Sequence, residues 1–419
     1  MVNKVFDVVV IGAGPIGIAA AAHAKNNGLT PLVLEKGNSV GSAINEWGHV
    51  RLFTKWSYVV DKEVDKILNN QGWEKPCFDE IPTGKELLDS YLIPAAKSAE
   101  LSQHISYNAE VIAIAKEGHS KHTTQDRDKM NFVIHYRDAE QDVHIVTAKA
   151  VIDASGTWSS PNPIGRDGLP VPGEIKHSDA IKYGIPDVLN TEREHYQRKT
   201  TLLIGGGHSA MNVGLNLIEL QSSSPDTKVY WGLRGENLDK LLGGGINDKV
   251  PARRKLGLAA QSAINSGKLT LLPGLTVRRI SRVEQGLKVE ITSNGCNSHI
   301  YVDKIIVATG FRPNTQILSE IRLNLDEVVE APRGIANMVD PNAHQCGAVP
   351  GHGAKELAHI DSNFYIVGMK SYGRAPSFLM LHGYEQVRSI TAKLAGDDKA
   401  ANEMRLTFPD SDTNKQRCC

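Results

Sequence analysis

Residues 5–35 constrain the chain more than any other stretch. Phe6-Asp7-Val8-Val9-Val10-Ile11 is a β-branched apolar run of the kind that forms a strand buried on both faces. It breaks into Gly12-Ala13-Gly14-Pro15-Ile16-Gly17, after which residues 18–25 are Ala-rich and helical in character. A second apolar run, Pro31-Leu32-Val33-Leu34, ends at Glu35. Strand, glycine turn, helix, strand and terminal acid stand in the order a dinucleotide turn requires. Gly12 permits the tight turn, Gly14 lets the backbone approach a pyrophosphate, and Gly17 lets the helix lie close on its strand. The helix N-terminus offers amide donors and a positive dipole end to the phosphates. Glu35, eighteen residues past Gly17, is placed to accept from a ribose diol. Pro15 within the turn and Lys36 beside the acid complete the candidate set. A glycine turn that holds no nucleotide is the bland alternative, and the full context makes it the weaker one.

Length and charge narrow the rest. At 419 residues the chain has room for about two to three domains. Its hydrophobic content is 41% and its charged content 22%, with 47 basic and 47 acidic residues. A balanced charge gives no reason to expect nucleic acid or a membrane surface as partner. The N-terminus runs straight into a strand without a basic and apolar leader. No apolar run approaches the ~20 residues that span a bilayer. The cysteines, Cys77, Cys296, Cys346, Cys418 and Cys419, form no disulfide framework. The expected location is the cytoplasm.

Beyond Glu35, the stretch Trp47-Gly48-His49-Val50-Arg51 reads either as an aromatic-anchored loop packed on the domain or as a contact to a bound cofactor and its phosphates. Trp47 and Arg51 are its candidates. Residues 61–100 read as mostly helical, broken at Pro76 and Pro82, and Thr83 with Glu86 has capping-box spacing. Residues 105–114 and 132–136 read as a hairpin, and 116–129 between them as a solvated loop carrying His119 and His122. Ile152-Asp153-Ala154-Ser155-Gly156 ends a strand in small residues, which lets a chain pass close to a cofactor, so Ser155 and Gly156 are candidates. A crowd of Pro and Gly over residues 161–173 then marks a domain boundary.

A second nucleotide unit begins at Thr200. Thr201-Leu202-Leu203-Ile204 is the strand and Gly205-Gly206-Gly207-His208-Ser209-Ala210 the turn, followed by a helix over 211–220. The next strand, Val229-Tyr230-Trp231-Gly232-Leu233, ends in Arg234 where an acid would favour a free 2′-hydroxyl. Arginine there pairs with a 2′-phosphate, which favours NADPH over NADH. Arg253, Arg254 and Lys255 either extend that pocket or form a basic surface turn. Residues 304–313 repeat the strand with small residues at its end, at Ala308, Thr309 and Gly310, which suggests that the chain returns to the first domain. The expected organisation is α/β, with two Rossmann-like dinucleotide-binding domains and the second inserted into the first. The boundaries are 1–165 for the first part, 166–300 for the insertion, 301–396 for the return, and 397–419 for a polar, mobile tail.

Further on, residues 340–359 are rich in Gly and His, with His344, Cys346, His352 and His359, and their spacing matches no standard zinc site. Contact with substrate, or packing beneath a cofactor, is the stronger reading, and no metal is expected. Residues 363–368 form the last strand, ending at Gly368, and residues 369–378 a loop with Arg374. A helix then starts at Ser377 or Phe378, its N-terminus suited to negative charge on a reduced cofactor.

With both glycine motifs and the Ala-Thr-Gly strand in view, most of the chain resembles the two-dinucleotide-domain flavoproteins. Among these it looks most like the flavin-containing and N-hydroxylating monooxygenases. The resemblance implies FAD on Gly12, Gly14, Gly17 and Glu35, and NADPH on a G-x-G-x-S-A motif matched by Gly205, Gly207, Ser209 and Ala210. Ala308-Thr309-Gly310-Phe311 matches a further family stretch. Two features depart. The monooxygenase fingerprint F-x-G-x-x-x-H keeps Gly173 and His177 but has Val171 for its Phe and lacks the aromatic-proline end. The closing Gly-Asp of many flavoproteins is Gly368-Met369. The Trp47 to Arg51 stretch and the Met369 to Gln386 segment look like a bacterial branch of flavoproteins or NAD(P)-binding proteins without a defined substrate.

The resemblance implies an NADPH-dependent FAD monooxygenase that oxygenates an amine, a sulfur or a ketone through a flavin C4a-hydroperoxide, with dioxygen and a small molecule as partners. The alternative is an NAD(P)H-dependent flavin reductase of a disulfide, quinone, metal or metalloid, without oxygenation. No C-x-x-C or C-x-x-x-x-C occurs, which argues against a flavin-side dithiol. Cys418-Cys419 reads as an incidental pair, or as a thiol pair for a soft metal. Arg51, His344, Cys346 and Arg374 are the candidates for positioning or proton transfer, and a homo-oligomer is allowed. A non-catalytic nucleotide sensor is the reading from another class, which two intact motifs disfavour.

Overall fold

The computed structural model describes residues 4–236, 251–342, 349–375 and 378–408. It separates into two compact units, one made of Met1–Ser160 with Arg312–Cys419 and the other of Pro161–Phe311. Before the insertion, the first unit supplies β1 (Val5–Ile11), β2 (Pro31–Leu34), β3 (Ile105–Ser106), β4 (Glu110–Lys116), β5 (Phe132–Arg137) and β6 (Val143–Asp153). The second supplies β7 (Ile181–Tyr183), β8 (Thr200–Ile204), β9 (Lys228–Gly232), β10 (Thr270–Leu272), β11 (Thr276–Val283), β12 (Gly286–Ser293), β13 (Cys296–Val302) and β14 (Lys304–Val307). The chain then returns to the first unit for β15 (Phe364–Ile366).

In the first unit the sheet runs β3-β2-β1-β6-β5-β4, with β15 also on β6. The long strand β6 makes this arrangement. Its Val143–Ala148 half pairs antiparallel with β5, and its Val151–Asp153 end pairs parallel with β15, while β1 lies parallel along its other edge. Val8, Val9 and Val10 of β1 are fully buried, as a strand covered on both faces must be. The helix Pro15–Asn26 is buried from Ile16 through Ala24. Gly383 of the helix Met380–Leu394 leaves room for it: a Cβ there would lie 2.5 Å from Ile16 Cδ1. Larger side chains at such a contact cost about 1–3 kcal/mol of overpacking.

The second unit has an all-parallel sheet, β10-β9-β8-β14-β7, and a three-stranded antiparallel sheet, β11-β12-β13. One face of the parallel sheet packs on the helices His208–Ser223 and Pro251–Asn265 through Leu203, Val213, Leu217, Trp231 and Ala260. The other packs on the antiparallel sheet through Leu202, Ile305, Val289 and Ile291.

Several expectations are corrected here. The return to the first unit comes after β14, not at residue 301, because β14 pairs with β8 and β7 in the middle of the second sheet. An apolar strand ending in small residues fits the centre of any doubly covered parallel sheet, so its pattern does not name its neighbours. The outgoing crossing falls at Ser160/Pro161, not after residue 165. Residues 105–114 are not one hairpin strand: β3 joins β2 in parallel, and only β4 pairs with β5. Residues 116–129 are not merely solvated, since the Arg127 guanidinium is buried against Asp361, 2.7 Å from each carboxylate oxygen. Residues 397–408 are not a mobile tail, and residues 409–419 lie outside the described residues. Asp397 caps a helix, Asp398–Asn402, on which Ala401 is buried, and Phe408 packs on the core. Residues 368–372 form a 3-10 turn, and the following helix starts at Met380.

Candidate active site

The first glycine turn is closed by contacts that leave glycine no substitute. A Cβ on Gly17 would sit 1.9 Å from the Gly12 carbonyl oxygen. Gly12 turns at φ +93°, and a Cβ there would press on the Ala154 carbonyl at 2.9 Å. Gly14 meets nothing within 4 Å in the place of a Cβ, so its face is open. It is also the N-cap of the helix that Pro15 begins, with no side-chain cap and no acid in the first turn. The first amides of that helix are therefore left for a ligand. Glu35 follows β2 directly and is buried, with Oε2 accepting from Ala13 N–H at 2.7 Å and Oε1 from Gly37 N–H at 2.8 Å. A carboxylate oxygen has two lone pairs, so each Glu35 oxygen still has one to offer a hydroxyl. Lys36 beside it is exposed.

The second turn is built alike in the other unit. Gly205 takes φ +145°, and a Cβ there would lie 2.3 Å from the Ala308 carbonyl oxygen. Gly207 faces open space and is the uncapped N-cap of the helix His208–Ser223, again with no acid in its first turn. His208 and Ser209 are partly buried and Ala210 is fully buried. The buried Trp231 indole N–H donates to the Gly205 carbonyl at 2.9 Å, a tie from β9 that the sequence does not announce. Arg234, two residues past β9, is exposed. Thr309 and Gly310 (φ +85°) belong to this unit too, where Thr309 Oγ1 donates to the Asn162 carbonyl at 2.8 Å and Asn162 N–H to the Gly310 carbonyl at 2.9 Å.

The carboxyl ends of β6 and β15 form a further constellation in the first unit. Ser155 is exposed and hydrogen-bonded to Asp153, and Gly156 turns at φ +68°. Gly368 (φ +67°) donates its N–H to Gln386 Oε1 at 2.8 Å. The Gln386 amide donates to His352 Nε2 at 2.8 Å, and His352 Nδ1 donates to the Pro350 carbonyl. That pattern needs a neutral ring, and burial pushes His352 down to about 4. His359, also pushed down to about 4 by burial, accepts the Asn324 N–H on Nδ1. The Tyr372 hydroxyl and His382 Nδ1 are buried without a partner among the described residues.

Other candidates are engaged elsewhere. The Arg51 guanidinium donates to the Ile81 carbonyl and lies 3.7 Å from Glu86, both groups being exposed. Arg374 is exposed and pairs with Glu330 at 2.8 Å. Trp47 is half-buried against the core, its ring 6.4 Å from that of Trp158. His119 bonds two carbonyls within its own loop. Among the described residues no group of three His, Cys, Asp or Glu is placed to hold a metal. His344, Cys346, Cys418 and Cys419 lie outside the described residues. What the sequence did not reveal is Lys370, whose ammonium is buried 2.7 Å from Asp153. A lysine two places after a strand-ending glycine was its one signal.

Two turns with open glycine faces, uncapped helix ends and no acid in the first helical turn fit two pyrophosphates, and the buried Glu35 fits a ribose. Residues 9–333 match a family model described as pyridine nucleotide-disulphide oxidoreductase. Bacilliredoxin reductase Bdr of Bacillus subtilis is 25% identical over 338 residues, 77% of this chain and 82% of that protein. The solved bacillithiol disulfide reductase Bdr of Bacillus cereus matches at TM-score 0.70 and 18% identity, covering 94% of this chain and all of that one. The FAD-bound cadaverine monooxygenase DfoA of Erwinia amylovora matches at TM-score 0.64 and 12% identity, over 99% of this chain and 100% of that one. These last two likenesses are of fold. The chain belongs to the pyridine nucleotide-disulphide oxidoreductase family, as an oxidoreductase that uses FAD and NADPH.

Proposed function

We propose that this protein is an NADPH-dependent flavin reductase that passes electrons from FAD directly to an acceptor such as a disulfide, a quinone, or a metal or metalloid. One observation carries the reading: the similarity to a bacilliredoxin reductase spans 82% of that relative. In this reading the acceptor meets the flavin itself, since the sequence holds no cysteine pair of the C-x-x-C or C-x-x-x-x-C kind and Cys418-Cys419 is taken as incidental. The two described cysteines, Cys77 and Cys296, are free and exposed. For a disulfide, NADPH and one proton yield NADP⁺ and two thiols.

FAD, when bound, supplies the chemistry of taking two electrons from the nicotinamide and releasing them to the acceptor. The chain's residues bind and orient. In this reading Gly12, Gly14 and Gly17 receive the FAD pyrophosphate, and Glu35 holds the ribose with its remaining lone pairs. Its two amide bonds fix the carboxylate before the cofactor arrives, which lowers the entropy lost on binding. Gly205, Gly207 and the helix end at His208 receive the NADPH pyrophosphate, and Arg234 pairs with the 2′-phosphate. Ser155, Gly156 and Gly368 border the FAD with small or left-handed backbone. Arg51 and Arg374, committed to Glu86 and Glu330, are assigned no chemistry.

Oxygenation is the second reading, favoured by the G-x-G-x-S-A form of the second turn, where Ala210 is fully buried beneath Gly205. Anaerobic reduction by NADPH followed by rapid mixing with oxygen separates the two. Direct return of the oxidised spectrum with release of peroxide supports the reductase. A spectral transient ahead of reoxidation, lengthened by NADP⁺, would replace it with a monooxygenase.

A further inference from the structure

At the carboxyl ends of β1, β6 and β15 three segments far apart in sequence meet. Ile11 and Ile366 both lie in register with Asp153. The Gly12 turn presses on Ala154, and Gly368 turns against Ile16, where a Cβ would come within 3.2 Å. In this junction the Lys370 ammonium lies 2.7 Å from Asp153 Oδ2 and 3.1 Å from Ser155 Oγ. Ser155 donates its hydroxyl to Asp153 Oδ1 at 2.6 Å and its N–H to the same oxygen at 3.1 Å. The Lys370 side chain is 2% exposed and that of Asp153 0%.

As a fastener this pair is a poor device. The desolvation of two buried charges offsets most of their attraction, and the ladder from Val151 to Asp153 already joins β6 to β15. Donor counting points elsewhere. An ammonium has three N–H donors, and Asp153 and Ser155 take two, with no third protein partner among the described residues. The position after Gly368, an acid in many flavoproteins, is Met369 here. The junction thus offers a fixed ammonium with one N–H left over.

We propose that Lys370 is a positioning residue for FAD: its remaining N–H donates to an oxygen of the ribityl–pyrophosphate part of the cofactor, while Asp153 and Ser155 hold the ammonium in place. This rests on FAD occupying the first glycine turn.

The test is the double variant Lys370→Gln with Asp153→Asn. It removes both charges and leaves the introduced glutamine two N–H donors, enough for the introduced asparagine and Ser155 and none for FAD. Titration of flavin-free protein with FAD gives the dissociation constant, and thermal unfolding of the same flavin-free protein reports the fold. The expected result is an unfolding midpoint within about 3 °C of the parent and an FAD affinity at least about tenfold weaker. Parental FAD affinity in the double variant would overturn the proposal and leave a structural ion pair. Should the double variant not fold, ¹⁵N-lysine spectra of the parent decide, with the Lys370 signal identified by its loss in Lys370→Arg. A shift of that ammonium signal on adding FAD is expected, and an unmoved signal overturns the proposal. Glu35→Gln is the control for placement. If it weakens FAD binding while the double variant does not, the Lys370 proposal alone fails; if neither does, FAD does not lie on the first turn.

Discussion

The two glycine turns share a plan and differ in how they are finished. In the first, the residue after the second strand reaches back. Glu35 is buried and holds the Ala13 and Gly37 amides, so the loop is tied shut before any ligand arrives. In the second, the corresponding stretch ends in the exposed Arg234, and the tie comes instead from the Trp231 indole on the Gly205 carbonyl. The first helix is buried from Ile16 through Ala24, whereas the second leaves His208 and Ser209 partly open. A turn finished by a buried acid suits a resident cofactor, and one finished by an exposed cation suits a co-substrate that must leave. The architecture is common to both, and the proposed reading places FAD on the turn closed by the buried acid and NADPH on the one that ends in the exposed cation.

The largest effects should come from filling the close approaches. Gly17→Ala forces a methyl to 1.9 Å from the Gly12 carbonyl, and the neighbour is backbone that has no rotamer to yield. Purified Gly17→Ala should carry no FAD and unfold at a lower temperature, by about 2–3 kcal/mol in stability. Gly205→Ala, with its Cβ 2.3 Å from the Ala308 carbonyl, should keep its FAD yet lose at least about a hundredfold in the rate of reduction by NADPH. Equal damage to FAD content in both variants would break the contrast between the turns.

Next in size is Glu35→Ala. It strands two amide donors, each worth about 1–3 kcal/mol when buried, and should weaken FAD about a hundredfold. Arg234→Ala touches no buried group. It should raise the KM for NADPH about tenfold, as loss of a charge-assisted bond does, and leave the KM for NADH and the unfolding temperature unchanged. A parallel rise for both nucleotides would remove the 2′-phosphate from the account.

The smallest effect is a slope with pH confined to the first unit, where His352 and His359 are held neutral. Their folded values, about 4, lie below the ordinary 6.5, so the unfolded chain binds more protons between these limits. Stability should therefore fall as pH drops through that window and level off below it. Between pH 6.5 and 5.5 each ring contributes about 1 kcal/mol. Denaturant midpoints across this range, repeated on His359→Asn, should show the slope reduced; an unchanged slope contradicts the assignment.

Both turns were legible in sequence because their chemistry is local: a strand, three glycines and a helix within a few residues. What closes them was legible only where it too is local, as at Glu35. The Asp153–Lys370 pair spans 217 positions and the Arg127–Asp361 pair 234, and no spacing rule reaches that far. β14 was misplaced for a related reason, since Ile305, Ile306 and Val307 would be buried equally well in either sheet. Arg51 and Arg374 show the converse: residue type suggested chemistry, and the structure pairs them with the exposed Glu86 and the half-buried Glu330. The monooxygenase resemblance reached the fold and the cofactors, but the relatives place the family's reductases alongside it.

The most direct test of the account is an anaerobic titration of the purified FAD protein with NADPH. Direct transfer from flavin to acceptor, with no redox-active dithiol, predicts that the flavin absorbance bleaches fully at about one equivalent of NADPH per FAD. A requirement for about two equivalents, with thiols appearing as the extra electrons are taken up, would reveal a disulfide in the electron path and contradict it.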